Sequence, residues 1–328
     1  CMAEGVTIRD VAAEAKVSIA TVSRVLNGGG NVKESTRERV CQAVRRVGYA
    51  LPEALARQDG SKTILIMVTH VDNMYTGKQI EGILSAANYS GYDCVIFKRK
   101  SEVYELEQII GIAESVNACG ILISWPNIPA EIINKVAERY PVVQINEYCE
   151  DSNVPFVSVD DYGTGKTATN YLLKLGYRKI GIMNGVTRFK YTRERYRGYQ
   201  DALREFGIEP LPEYSFSSSS ALVEPIIDRI INVKNPPEAI VTTSDLQAAG
   251  LIKALHAVGK SIPEDMAIVS CEDTELAQYV SPPLTTVSHP IFHIGEEACR
   301  MLLDIMSNHK PSPDQIFLKS DLVVRGTT

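Results

Sequence analysis

The run Ser18-Ile19-Ala20-Thr21-Val22-Ser23-Arg24-Val25-Leu26-Asn27 carries residue types that could read a hydrogen-bonded surface. Wound as a helix, it buries Val22, Val25 and Leu26 and leaves Ser18, Ile19, Ala20, Thr21, Ser23, Arg24 and Asn27 outside. A merely solvated face would be richer in Glu and Lys. These side chains are short, and the one arginine can form a bidentate contact with guanine O6 and N7. The bland alternative is a plain three-helix bundle.

Residues for catalysis or metal binding do not cluster in this way. His70, His256, His289, His293 and His309 make no H-x-x-H or H-E-x-x-H, and there is no G-x-S-x-G elbow. The seven cysteines, Cys1, Cys41, Cys94, Cys119, Cys149, Cys271 and Cys299, contain no C-x-x-C pair and mostly sit in apolar runs, as reduced small hydrophobes would. Gly163-Thr164-Gly165-Lys166-Thr167 imitates the end of a phosphate-binding loop, but Asp160 stands where the motif needs its first glycine. These residues read instead as the first turn of a helix after FVSVDD. The expectation is a non-enzyme without cofactor or metal.

Three short helical patterns position the first cluster. TIRDVAAEA has Ile8, Val11, Ala12 and Ala15 on one face, with Thr7 as N-cap and Asp10 at the third helical position. Lys16-Val17-Ser18 is a break of turn length, and Ser18 caps the second helix. A third starts at Glu34-Ser35-Thr36, carries Val40, Ala43, Val44 and Val47 on one side, and stops at Gly48. Two short helices, a three-residue turn and a bracing third helix make a helix-turn-helix. Charge agrees: residues 1–62 hold ten Lys/Arg against seven Asp/Glu, whereas the whole chain has net charge −6. A basic head on an acidic body is expected when one module meets DNA.

From Thr63 the pattern changes to alternating β and α. TILIMV, CVIF, GILIS, PVVQI, FVSV, KIGIM, AIVTT and MAIVSC are short apolar strands separated by amphipathic helical stretches. Continuous apolar strands between helices imply parallel sheets covered on both faces. Two successive sets imply two doubly wound lobes with a ligand crevice beyond the carboxyl ends of the strands. The fold class expected is a small all-α helix-turn-helix head plus an α/β body of periplasmic-binding-protein architecture. Of the 328 residues, 45% are hydrophobic and 23% charged, as in an ordinary soluble protein. With no leader and no apolar run near the ~20 residues of a membrane span, a cytoplasmic location is expected.

The head segment TIRDVAAEAKVSIATVSRVLNGGGNVKESTRERVCQAVRRVGY resembles that of the lactose-repressor (LacI/GalR) family at almost every position. Resembling segments continue through LLKLGYRKIGIMNG, RYRGYQDALREFGI and TTSDLQAAGLIKALHAVGKSIPEDMAIVSC to LVVRGTT, so the likeness spans the chain. Asn-Glu-Tyr at 146–148 and LVVRGTT are similar to the cytidine-responsive branch. The resemblance implies a ligand-responsive transcriptional repressor that binds a palindromic operator as a homodimer. The second helix would lie in the major groove, with Ser18 capping it, Ile19, Ala20 and Arg24 reading bases, and Thr7, Thr21, Ser23, Asn27 and Tyr49 holding the DNA backbone. It implies a head at 1–50, a hinge at 51–62, and an effector-binding and dimerisation domain at 63–328. Lobe 1 would take about 63–161 and 289–318, and lobe 2 about 162–288 and 319–328.

In the hinge, ALPEALARQDGSK keeps Leu55 and Arg57 but has Asp59 where the family inserts a leucine into the minor groove. Either Leu55 supplies the wedge or the site is not kinked in the family manner. The resemblance further places His70, Asp72, Tyr75, Ser124, Trp125, Asn146, Glu147, Arg195, Ser244, Asp245, Glu272, His289 and Ile291 around a sugar or nucleoside effector. Structural alternatives stand beside these roles. Asp245 could be a helix N-cap, Arg195 a surface ion-pair partner, Trp125 a lobe-packing aromatic, and His70 and His289 ordinary loop histidines. A plain solute-binding protein and a sugar or nucleotide enzyme are the competing classes.

Overall fold

The computed structural model describes residues 7–26, 34–47, 62–98, 105–217, 224–309 and 311–328. The chain divides into two compact units, Cys1–Lys62 and Thr63–Thr328. In the first, α1 (Ile8–Ala15), α2 (Ile19–Leu26) and α3 (Glu34–Val47) surround a small core of Val11, Ala12, Ala15, Val22, Val25, Val40, Ala43 and Val44. Thr7 is the N-cap of α1, and its backbone N–H donates to Asp10 Oδ2 at 2.7 Å. Lys16 ends α1 in the left-handed region, φ 54°, and Ser18 Oγ accepts the Thr21 N–H at 3.1 Å to start α2.

The second unit holds two six-stranded sheets. The first is ordered β11-β5-β4-β3-β1-β2, from β1 (Thr63–Val68), β2 (Asp93–Lys98), β3 (Ala118–Ser124), β4 (Val142–Ile145), β5 (Phe156–Val159) and β11 (Gln315–Leu318), all parallel. The second is ordered β12-β10-β9-β8-β6-β7. It comprises β6 (Ile180–Asn184), β7 (Ser215–Ser217), β8 (Ala239–Thr242), β9 (Ala267–Glu272), β10 (Thr285–Ser288) and β12 (Asp321–Val323), with only β12 antiparallel to its neighbour. Helices α4 (Met74–Tyr89), α5 (Leu106–Ser115), α6 (Ala130–Ala137) and α12 (Ile291–Met306) pack in the first lobe. Helices α7 (Asp161–Lys174), α8 (Lys190–Glu205), α9 (Glu224–Asn232), α10 (Asp245–Ala257) and the short α11 (Leu276–Tyr279) pack in the second. The chain passes between sheets after β5, after β10 and between β11 and β12.

Each sheet is covered by apolar clusters on both faces, which explains why its central strands are near-continuous Val, Ile and Leu. In the second lobe α7 crosses α8 with glycine on both sides of the contact. A Cβ on Gly165 would lie 2.1 Å from the Arg195 carbonyl oxygen, and one on Gly198 the same distance from that of Tyr162. Gly82 and Gly295 play the same part where α4 crosses α12. This close approach fixes where Arg195 emerges from α8 relative to Asp161 on α7.

Candidate functional site

On α2, Ser18, Ile19, Ala20 and Arg24 are exposed and Thr21 and Ser23 half-buried, while Val22 and Val25 fill the core. Ile19 is 46% exposed, a large apolar side chain left to solvent beside Ala20. Thr21 Oγ1 lies 2.8 Å from Ser18 Oγ, which orders both hydroxyls on the first turn. Thr7 is exposed and its Oγ1 donates to Asp10 at 2.7 Å. Asn27, Tyr49, Leu55, Arg57 and Asp59 lie outside the described residues.

In the body, the strand ends gather a buried polar cluster. Arg195 reaches from α8 across the end of its sheet and donates through Nε to Asp161 Oδ1 at 2.9 Å. Its Nη1 donates to the carbonyls of Thr243 at 2.6 Å and Cys271 at 3.0 Å, at the ends of β8 and β9. Lys190 Nζ donates to the other Asp161 oxygen at 2.7 Å. Burial would raise the Asp161 carboxyl, but Arg195 and Lys190 hold it below its ordinary value.

Asp245, on the first turn of α10, accepts from Ser270 Oγ at 2.7 Å and from the Thr274 N–H and hydroxyl at 2.6 and 2.8 Å. The helix cap is the preceding Ser244, whose Oγ accepts the Gln247 N–H at 3.3 Å. The capping role open for Asp245 therefore belongs to its neighbour. Glu272 Oε2 accepts the Asp245 N–H at 3.2 Å, and its other oxygen is 3.9 Å from Arg195 Nη1. Burial and the Asp245 charge push the Glu272 carboxyl up to about 8 despite Arg195.

The two lobes meet here. Glu147, beyond β4 of the first lobe, accepts the N–H groups of Lys190 and Tyr191 at 2.8 and 3.3 Å. His289, on the passage from β10 to α12, lies with Nε2 3.2 Å from Thr164 Oγ1 of α7 and Nδ1 3.5 Å from the Tyr75 hydroxyl of α4. Burial and Arg195 lower it to about 3, so it is neutral at ordinary pH. Ile291 follows, buried, with its N–H on the His289 carbonyl at 2.8 Å. Asn146 adopts φ 58°, and among the described residues its buried Oδ1 has no hydrogen-bond partner.

The remaining sequence candidates are His70, Asp72, Ser124 and Trp125. His70 and Asp72 follow β1, half-buried and exposed, with 3.8 Å between them, and the His70 ring is 6.1 Å from that of Phe189. The Ser124 carbonyl accepts from Thr69 Oγ1 at 3.4 Å. Trp125 belongs to the apolar core of the first lobe, the packing alternative left open for it. Arg195 is a buried and not a surface pair partner, and His289 is a satisfied buried histidine. Asp161, Lys190, Ser270 and Thr274 were missed. The doubled acid at Asp160-Asp161 was the available signal, masked because acids are ordinary in a helix's first turn.

The phosphate-loop imitation is consumed structurally. Asp160 Oδ1 accepts the Gly163 N–H at 2.8 Å, Thr164 meets His289, Gly165 abuts Arg195, and Lys166 Nζ bonds Glu205 at 2.6 Å.

Residues 7–51 match the model of bacterial regulatory proteins of the lacI family, and residues 169–328 that of the periplasmic binding protein-like domain. The HTH-type transcriptional repressor CytR of Escherichia coli (strain K12) is 32% identical over 98% of this chain and 96% of its own length. Catabolite control protein A of Staphylococcus xylosus is 30% identical over 98% and 99%. The solved complex of the transcriptional regulator CelR with cellobiose is 27% identical, covers 98% of this chain and 100% of its own, and superposes with a TM-score of 0.72. Head, two-lobed body and full-length likeness agree: the chain belongs to the lacI family of bacterial regulatory proteins. Among the described residues no helix is long and apolar enough to cross a membrane.

Proposed function

We propose that the chain is a ligand-switched repressor that binds a palindromic operator as a homodimer, with α2 in the major groove. The observation that carries this is the outer face of α2. Ile19 and Ala20 stand exposed beside Arg24, a combination that packing does not explain but base-edge contact does, apolar atoms on a thymine methyl and guanidinium on guanine. One such helix reads only a few base pairs, so a two-fold dimer on adjacent half-sites is needed for specificity.

The effector, a sugar or nucleoside, binds between the lobes among Tyr75, Asn146, Glu147, Arg195, Ser244, Asp245, Glu272 and His289, with His70, Asp72, Ser124, Trp125 and Ile291 at the rim or behind. Support comes from the convergence of both lobes on one polar cluster and from a relative solved as a cellobiose complex. The ligand acts only through its different affinity for the two degrees of lobe closure, transmitted through the hinge at 51–62 to the heads at 1–50. The body from 63 to 328 both binds effector and dimerises, the protein works in the cytoplasm, and it performs no catalysis. The competing classes are separated by a mobility-shift experiment with palindromic DNA selected from a random pool. A regulator yields a sequence-specific complex, and a solute-binding protein or an enzyme does not.

A further inference from the structure

Three strand ends of the first lobe converge on one short segment of the second, Arg188–Tyr191. Asn127 Nδ2, past β3, donates to the Arg188 carbonyl at 2.8 Å, and the His70 ring, past β1, faces Phe189. Glu147, past β4, takes the first N–H groups of α8, and Lys190 Nζ stands 4.5 Å from the centre of the Tyr148 ring. The start of a 16-residue helix, with a lysine in its first turn, is where an anion would otherwise be bound. Here a carboxylate of the protein occupies it.

The other cations of the cluster are equally committed. Arg195 and Lys190 share Asp161, and Asp245 and Glu272 add carboxyl groups that no further cation faces among the described residues.

We infer that Glu147 is the crevice's built-in anion: it clamps the lobes at Lys190–Tyr191 and thereby selects against anionic effectors, so that phosphorylated sugars and nucleotides are rejected in favour of uncharged ones. This rests on the proposal that the crevice is the effector site, and it assigns Glu147 a selective role there. An entering phosphate would have to displace Glu147 from its two N–H donors, and would then leave that carboxylate buried beside Asp161 without compensation. An uncharged hydroxyl ligand imposes no such exchange.

Removing the internal anion should open the place it holds. Calorimetric titration of the full chain with inorganic phosphate, at constant ionic strength set with chloride, compares wild type with Glu147→Ala and Glu147→Gln. Glu147→Ala should bind phosphate at least about tenfold more tightly than wild type, and the gain should vanish in Glu147→Ala/Lys190→Met. Glu147→Gln keeps the side-chain volume and an acceptor for one of the two N–H groups, so it should show a smaller gain and serves if the alanine variant folds poorly. Equal phosphate affinity in wild type and both variants, or a gain that survives loss of Lys190, overturns the inference. Failure of the regulator reading shows separately, as absence of an operator complex.

Discussion

Arg195 and Asp161 meet through two contacts, Nε to Oδ1 at 2.9 Å and Nη2 to Oδ1 at 2.8 Å, with both side chains 3% exposed. Lys190 holds the remaining oxygen. Removing the shared acid leaves two buried cations uncompensated, so Asp161→Ala should destabilise the chain by about 3–5 kcal/mol. Denaturant unfolding reads this, and Asp161→Leu/Arg195→Met/Lys190→Met, which removes both cations together with the acid they share, should recover part of the loss. A loss in Asp161→Ala below about 1 kcal/mol would show the cluster to be solvated.

Stability should fall as pH rises from about 6.5 to 8. Glu272 has an ordinary value of 4.5 and a folded value of about 8, so in this window the folded state holds a proton that the unfolded chain has released. His289 works in the opposite sense, ordinary 6.5 and folded about 3, so its contribution changes mainly below this window. Burial also raises Asp245 and Glu147, which lean the same way as Glu272, so the decisive comparison is with Glu272→Gln. The variant should lose most of the slope of unfolding free energy against pH. An unchanged slope would remove Glu272 from the buried cluster.

Gly165→Ala should cost about 1–3 kcal/mol, because its Cβ would stand 2.1 Å from the backbone carbonyl of Arg195 and the helices must separate. Gly111→Ala, in α5 with nothing within 4 Å of the added carbon, should be neutral or gain up to about 1 kcal/mol from helix propensity. Similar midpoints for the two variants in thermal unfolding would mean that the α7–α8 crossing is loose.

What the sequence disclosed follows the physics of burial. TILIMV, GILIS and MAIVSC are readable as strands because both faces of the sheet are covered and every position is selected for apolar bulk. Strand β10 is as buried but reads Thr-Thr-Val-Ser, since Thr285 trades its hydroxyl with Thr328 and Thr286 its own with the Glu272 N–H. Strands β7, β11 and β12 are short, partly exposed edges, too brief to show a period. Among the residues of the buried polar cluster, Arg195, Asp245 and Glu272 were singled out through motif position. Lys190 was not, because a lysine at a helix start reads as a surface charge until the fold brings Asp161 and Tyr148 to it.

On α2, Arg24→Ala should lose discrimination at one G·C pair in each half-site, by about 1–3 kcal/mol per site. Fluorescence anisotropy on operators altered one base pair at a time measures it. A loss that is uniform over all sequences would assign Arg24 to a phosphate.

The central claim is that the body's polar cluster switches a head that binds DNA. The measurement that tests it most directly is operator affinity with and without ligand, for wild type and Asp245→Asn. The ligand is the sugar or nucleoside that most raises the thermal midpoint of the full chain in a screen. Wild type should change its operator affinity at saturating ligand by a factor of about 5–150, the range of a 1–3 kcal/mol coupling. Asp245→Asn should bind operator as wild type does and respond to ligand little or not at all. A ligand that stabilises the wild-type body yet leaves operator affinity unchanged, or an Asp245→Asn variant that responds in full, would contradict the account.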